Sequence, residues 1–149
     1  MSSLVGTAPQ VITRVFPLNP NFSLSYLVAM VGGNSTRGPE LVDSIPDESF
    51  GHTITATFFC LAETMIHEEV LAEYQRLGLK PIHARPFLNI IAGGQTPFQG
   101  THVLHTLWNL GQEPCFVQFL RGRSQDYLMF ARHDGVPWPK DDWFVGVPL

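Results

Sequence analysis

At 149 residues with 44% hydrophobic side chains, the chain has the size of a single domain and can bury a core without disulfide or metal staples. A net charge of −4, with only 9 Lys and Arg in all, excludes the clustered basic face that phosphate backbones require, so nucleic acid is a disfavoured partner. No apolar run reaches the roughly 18 residues of a membrane span. The N-terminus lacks a basic segment followed by an apolar one, so no signal peptide is expected.

Residues 1–10 read as a loose arm, and Val11–Phe16 as a first strand closed by Pro17. Phe22, Leu24, Tyr26, Val28 and Met30 alternate with Ser23 and Ser25, and period two predicts a strand over 22–30. Gly32 to Pro39 and Ser44 to Ser49 read as loops because Gly, Asn and Pro crowd there. His52 to Leu61 alternates Thr53, Thr55 and Thr57 with Ile54, Ala56 and Phe58, which fits a half-buried strand. A main helix is expected over about 65–78, with Thr64 as N-cap, Glu68 and Glu69 at its positive end, and Ile66, Val70, Leu71, Tyr74 and Leu77 as its apolar stripe. Gly78 and Pro81 end it. A short helix is expected over about 85–91, with Pro86 in its first turn and Gly93-Gly94 beyond its end. Thr101–Trp108, Cys115–Leu120, Asp126–Ala131 and Asp142–Val147 follow as short strands between Gly- and Pro-bearing turns, the pattern of an antiparallel meander.

Cys60 and Cys115 both sit in apolar runs, as buried free thiols do, which points to a reducing, cytoplasmic compartment. His102 and His105 have the His-x-x-His spacing of a metal pair. On a strand, however, they point to opposite faces, and no Cys or carboxylate stands at ligand spacing nearby, so no metal or other cofactor is expected. His67 with Glu63, Glu68 and Glu69 has the ingredients of an acid–base pair, yet acidic residues belong in a first helical turn in any case. His133-Asp134 has the order of a carboxylate-oriented imidazole without a marked nucleophile, and Asp134-Gly135 is a turn signal. The glycine pairs at 32–33 and 93–94 lack the Lys-Ser/Thr of a phosphate loop. Arg121, Arg123 and Arg132 would need to share a face with an exposed aromatic to serve a nucleic-acid site.

Glu68-Glu69-Val70-Leu71-Ala72-Glu73 followed by Leu77-Gly78-Leu79-Lys80-Pro81, then Phe87-Leu88, the hairpin-like stretch from His102 to Leu120, and the aromatic terminal segment Asp142–Val147 carry a resemblance. Over residues 50–149 the chain resembles a group of small bacterial proteins of uncharacterised function. It departs from them at Ile82-His83, where a small residue and a hydroxyl N-cap are expected, and in ending on Val147-Pro148-Leu149 without a basic tail. The resemblance implies a mixed helix-and-sheet fold and no particular activity.

The expected fold is therefore α+β: one domain over 1–149, with a single antiparallel sheet and the two helices packed on one face. Low charge and an excess of Phe and Trp favour a non-enzymatic interaction or assembly module that associates with itself or with a protein partner. Trp138, Trp143 and Phe144 are the candidate interaction residues, set against a reading in which Trp143 and Val145 fill the core while Phe144 faces out, or the reverse. The alternative function is a small-ligand binder or modest hydrolase, with a site between the main helix and the sheet and His67, His83 or His133 at its rim.

Overall fold

The computed structural model describes residues 10–31, 41, 44–46 and 48–149. The arm and the Gly32–Pro39 loop expected from sequence lie outside the described residues, apart from Gln10. Seven strands form one mixed sheet: β1 (Val11–Pro17), β2 (Thr53–Cys60), β3 (Leu79–Pro81), β4 (His102–Leu110), β5 (Glu113–Arg121), β6 (Asp126–Arg132) and β7 (Trp143–Pro148). Their order is β1-β2-β7-β4-β5-β6, and β3 pairs with the far half of β7. The described helices are α1 (Leu24–Val31), α2 (His67–Arg76) and α3 (Ala84–Ala92).

This corrects the expected fold class in two respects. The sheet is not wholly antiparallel: β7 enters between β2 and β4 and runs parallel to β4, with Leu104 opposite Trp143 and His105 opposite Phe144. Nor do the helices share one face. α1 and α3 pack on each other over the first face, while α2 lies on the second.

The segment read as a strand over 22–30 is helical from Leu24. Leu24, Leu27, Val28 and Val31 also satisfy the three-and-four spacing of a helix, so period two was not unique to a strand. The start is set by Ser23, whose Oγ accepts the N–H of Tyr26 at 3.1 Å, an N-cap bond. α2 starts two residues later than expected. Ile66, not Thr64, is its N-cap, and the Ile66 N–H donates to Glu69 Oε1 at 2.9 Å, so the acidic first turn satisfies a backbone donor as well as the helix dipole.

The first face buries Ala56, Phe58, Leu104, Val117, Phe119 and Phe130 against Phe87, Leu88 and Ile91 of α3 and Leu27 of α1. Asn89 of α3 ties down the β1–α1 connection, accepting the Asn19 N–H at 2.9 Å and donating to the Asn19 carbonyl at 3.3 Å. The second face has a separate core of Phe59, Val70, Tyr74, Leu107, Phe116, Trp138 and Phe144. β4, β5 and β6 form an antiparallel meander, after which residues 133–142 return across the second face to place β7 in the middle of the sheet. We call this crossing segment the strap. Among the described residues no helix is long and apolar enough to cross a membrane.

Candidate functional site

Alternation along β7 sends Trp143 to the first face and Phe144 to the second. Pairing with two neighbours then fixes what surrounds Phe144. Phe59 of β2 stacks on it at 5.8 Å between ring centroids, and His105 of β4 stacks on it at 4.9 Å. Trp138 of the strap closes over this layer, edge-on to Phe144 at 5.2 Å, to His105 at 4.8 Å and to Phe116 at 5.1 Å.

The strap is held at both ends by backbone bonds. His133 N–H donates to the Pro114 carbonyl at 2.8 Å, and Asp141 N–H donates to the Leu61 carbonyl at 3.0 Å. In its middle, Trp138 and Met65 exchange backbone bonds at 2.7 and 3.0 Å. Asp134 makes the turn read from its sequence: its Oδ1 accepts the Val136 N–H at 3.1 Å, beside Gly135 at φ 91°.

Beyond Trp138, imidazoles complete the cluster. His133 stacks on the indole at 4.8 Å with 18° between planes, and His67 stacks on His133 at 4.9 Å. The indole N–H of Trp138 donates to His67 Nδ1 at 3.3 Å, which requires that nitrogen to be unprotonated. Burial, and next the neighbouring His133, lower the pKa of His67. His133 donates from Nε2 to the Val136 carbonyl at 2.8 Å.

His105 is sealed beneath Trp138 with no exposed surface. Its Nδ1 lies 3.3 Å from the Trp143 carbonyl, its Nε2 lies 2.9 Å from Gln118 Oε1, and the Asp142 carboxylate is 3.7 Å away. Acceptors on both ring nitrogens favour imidazolium, but complete burial opposes it more strongly and drives the pKa down to about 4. Turning the Gln118 amide end for end lets its NH2 donate to Nε2, and the neutral Nδ1–H tautomer then gives both ring nitrogens a partner. Burial, and then Asp141, raise Asp142 to about 6. His105 is fully buried and Asp142 partly buried beside it.

All three residues expected at an interaction surface are buried, Trp143 on the first face and Trp138 and Phe144 on the second. Of the expected ligand rim, His67 and His133 meet in one stack, whereas His83 lies at the start of α3, 3.0 Å from Glu48. His102 and His105 project to opposite faces of β4, and His102 packs on Phe98. Cys60 and Cys115 are free thiols, Cys115 fully buried. Among the described residues no three His, Cys, Asp or Glu side chains gather closely enough to hold a metal. A cavity of about 430 Å³ lies beside α2, lined by Cys60, Leu61, Glu63, Met65, Glu73 and Arg76. Glu73 and Arg76 already pair with each other there at 2.8 Å, and no histidine lines it. The His105–Asp142–Gln118 group was not anticipated, because its members come from the interiors of β4 and β5 and from the residue before β7, with no shared spacing.

Among the described residues, no helix or strap covers the second face at its β1 end. Val11, Thr13 and Val15 of β1 and Thr53 and Thr55 of β2 are exposed, Val15 at 67%. Gln10 and Leu18 bond toward β2, through Cys60 N–H and the His52 carbonyl, so by alternation Ile12, Arg14 and Phe16 also point their backbone groups inward. The N–H and C=O groups of Val11, Thr13 and Val15 point outward, and no described strand pairs with them. The opposite edge, β6, carries Asp126 and Arg132, each in an ion pair, at its two ends.

Comparison of the chain with protein-family models, curated proteins and solved structures finds no match.

Proposed function

We propose that the chain is a non-enzymatic assembly module that associates with a second copy of itself through the edge of β1. The observation that carries this reading is the outward row of backbone groups on Val11, Thr13 and Val15, flanked by an exposed Val/Thr face and only one charged side chain, Arg14. Edge strands are ordinarily protected by charge, by Pro or by covering chain. β6 has the charge, whereas β1 has Pro17 only at its last position.

Charge selects the register. Antiparallel pairing about Arg14 would set two guanidinium groups opposite each other. Pairing about Thr13 sets Val11 opposite the partner's Val15 and Arg14 opposite the partner's Ile12, and uses every outward N–H and C=O of Val11, Thr13 and Val15. The low overall charge of the chain, 15% of residues, agrees with a surface that is covered in part by another copy. The sealed state of His105 weighs against hydrolysis, and the mutual pairing of Glu73 and Arg76 leaves the cavity beside α2 with few unengaged polar groups.

Light scattering across a concentration series tests the proposal. The native chain is expected to approach twice 16.6 kDa. Val15→Lys, which places a charge on an exposed position without touching the β1–β2 bonds, is expected to remain a folded monomer. A native chain that stays monomeric at high concentration would sink the proposal.

A further inference from the structure

We propose that the strap is an acid-released clasp: protonation of His67 while His133 is stacked on it frees Trp138 from the second face. The geometry imposes this coupling. The Trp138 indole N–H has nothing to donate to once a proton occupies His67 Nδ1, because two N–H groups then face each other across 3.3 Å. The next ring is His133, stacked on His67 at 4.9 Å, and it too opposes a proton on His67. His133 itself lies flat on the Trp138 indole and its Nε2–H points at the Val136 carbonyl. The clasp therefore gives way when His67 is charged.

The charged groups around it divide. Glu68, next to His67 on α2, favours the imidazolium. On the strap, Asp134 spends its carboxylate on the Val136 N–H, and Lys140 lies beyond Trp138. At the end of β6, Arg132 pairs with Glu113 at 3.3 Å. On the sheet side of the indole stand His105 and Asp142, which face each other. Burial and His133 outweigh Glu68, so the docked strap holds fewer protons than the released one. Its docking is complete above the ordinary imidazole value and weakens as pH falls below it.

Release uncovers Phe116, Phe144 and His105, all buried while Trp138 is in place.

Hydrogen exchange of two amides reads the clasp directly, because Met65 and Trp138 protect each other. An imidazole of ordinary pKa is about ten-to-one protonated one unit below it, so opening can rise by at most about tenfold between about pH 7.5 and about pH 5.5. Corrected for intrinsic rates, the Met65 and Trp138 amides are expected to show a rise within that bound while amides of the β4–β5 pair do not. In His67→Gln, whose amide oxygen accepts from the indole but does not titrate, the ratio is expected to fall to about one. The quantity compared is the ratio between two pH values, so a variant that loosens the strap equally at both leaves the test intact. An unchanged ratio in His67→Gln, a native ratio near one, or a rise shared by the β4–β5 amides would each overturn the proposal.

Discussion

The first face of the sheet buries Phe58, Leu104, Phe119 and Phe130 in hydrocarbon under two helices, whereas the second buries an indole and an imidazole beside a half-buried carboxylate under one helix and a strap, and its β1 end carries exposed Val11, Thr13 and Val15. Burial of apolar area is nearly independent of pH and of concentration. Imidazoles and an open edge respond to both. The difference separates what holds the molecule together from what lets it respond. The first face supplies stability under all conditions, and the second face has stability that depends on protons and, if the proposed pairing of β1 holds, on a partner.

The sharpest way to break this contrast is to cut into each face. Phe119→Ala on the first face is expected to cost about 3–5 kcal/mol of global stability, by urea unfolding, because it empties a site with no exposed surface. A cost below about 1 kcal/mol would show that the first face is not the dominant core.

The next effect concerns pH. Unfolded His105 takes up a proton near its ordinary value of 6.5, while the folded residue resists to about 4. Stability from this residue is complete above the first value and is lost as pH falls toward the second, by about 3 kcal/mol. Asp142 works in the opposite direction, since its raised carboxyl binds a proton more readily when folded. Comparison with His105→Gln isolates the imidazole, because Asp142 is present in both proteins. The native chain is expected to lose more stability than the variant between about pH 7 and about pH 4.5. Equal losses would remove His105 from the account.

The smallest effect is at Tyr74, whose buried hydroxyl donates to the Val145 carbonyl at 2.9 Å and pins α2 to β7. Tyr74→Phe is expected to cost about 1 kcal/mol. A neutral result would mean that α2 is held by its apolar contacts with Phe59 and Phe144 alone.

Most strands and both later helices were legible in the sequence because each carries its own local signal: Thr alternation in β2, the Gly78–Pro81 stop after α2, Pro86 at the start of α3. α1 was not, because Leu24 to Val31 fits both periods, and what accompanies the helix is a Ser23 cap and packing on α3, a partner distant in the chain. The place of β7 was not legible either. Its alternation marks it as a strand, but insertion between β2 and β4 is decided by pairing partners distant in the chain. His67 and His133 were singled out for separate reasons, and only the crossing of the strap stacks them. Trp138, Trp143 and Phe144 show the limit of composition, since aromatic excess does not distinguish a binding face from a core. The exposed Val/Thr edge of β1 has a weak sequence signal, a β-branched run bearing one charge.

Residue-resolved hydrogen exchange along β1 tests self-association most directly, because the two sets of amides alternate. Ile12, Arg14 and Phe16 face β2 and are expected to be protected at every concentration. Val11, Thr13 and Val15 are expected to gain protection as concentration rises and the second copy pairs with them. Exchange of those three at the intrinsic rate at all concentrations would contradict the account.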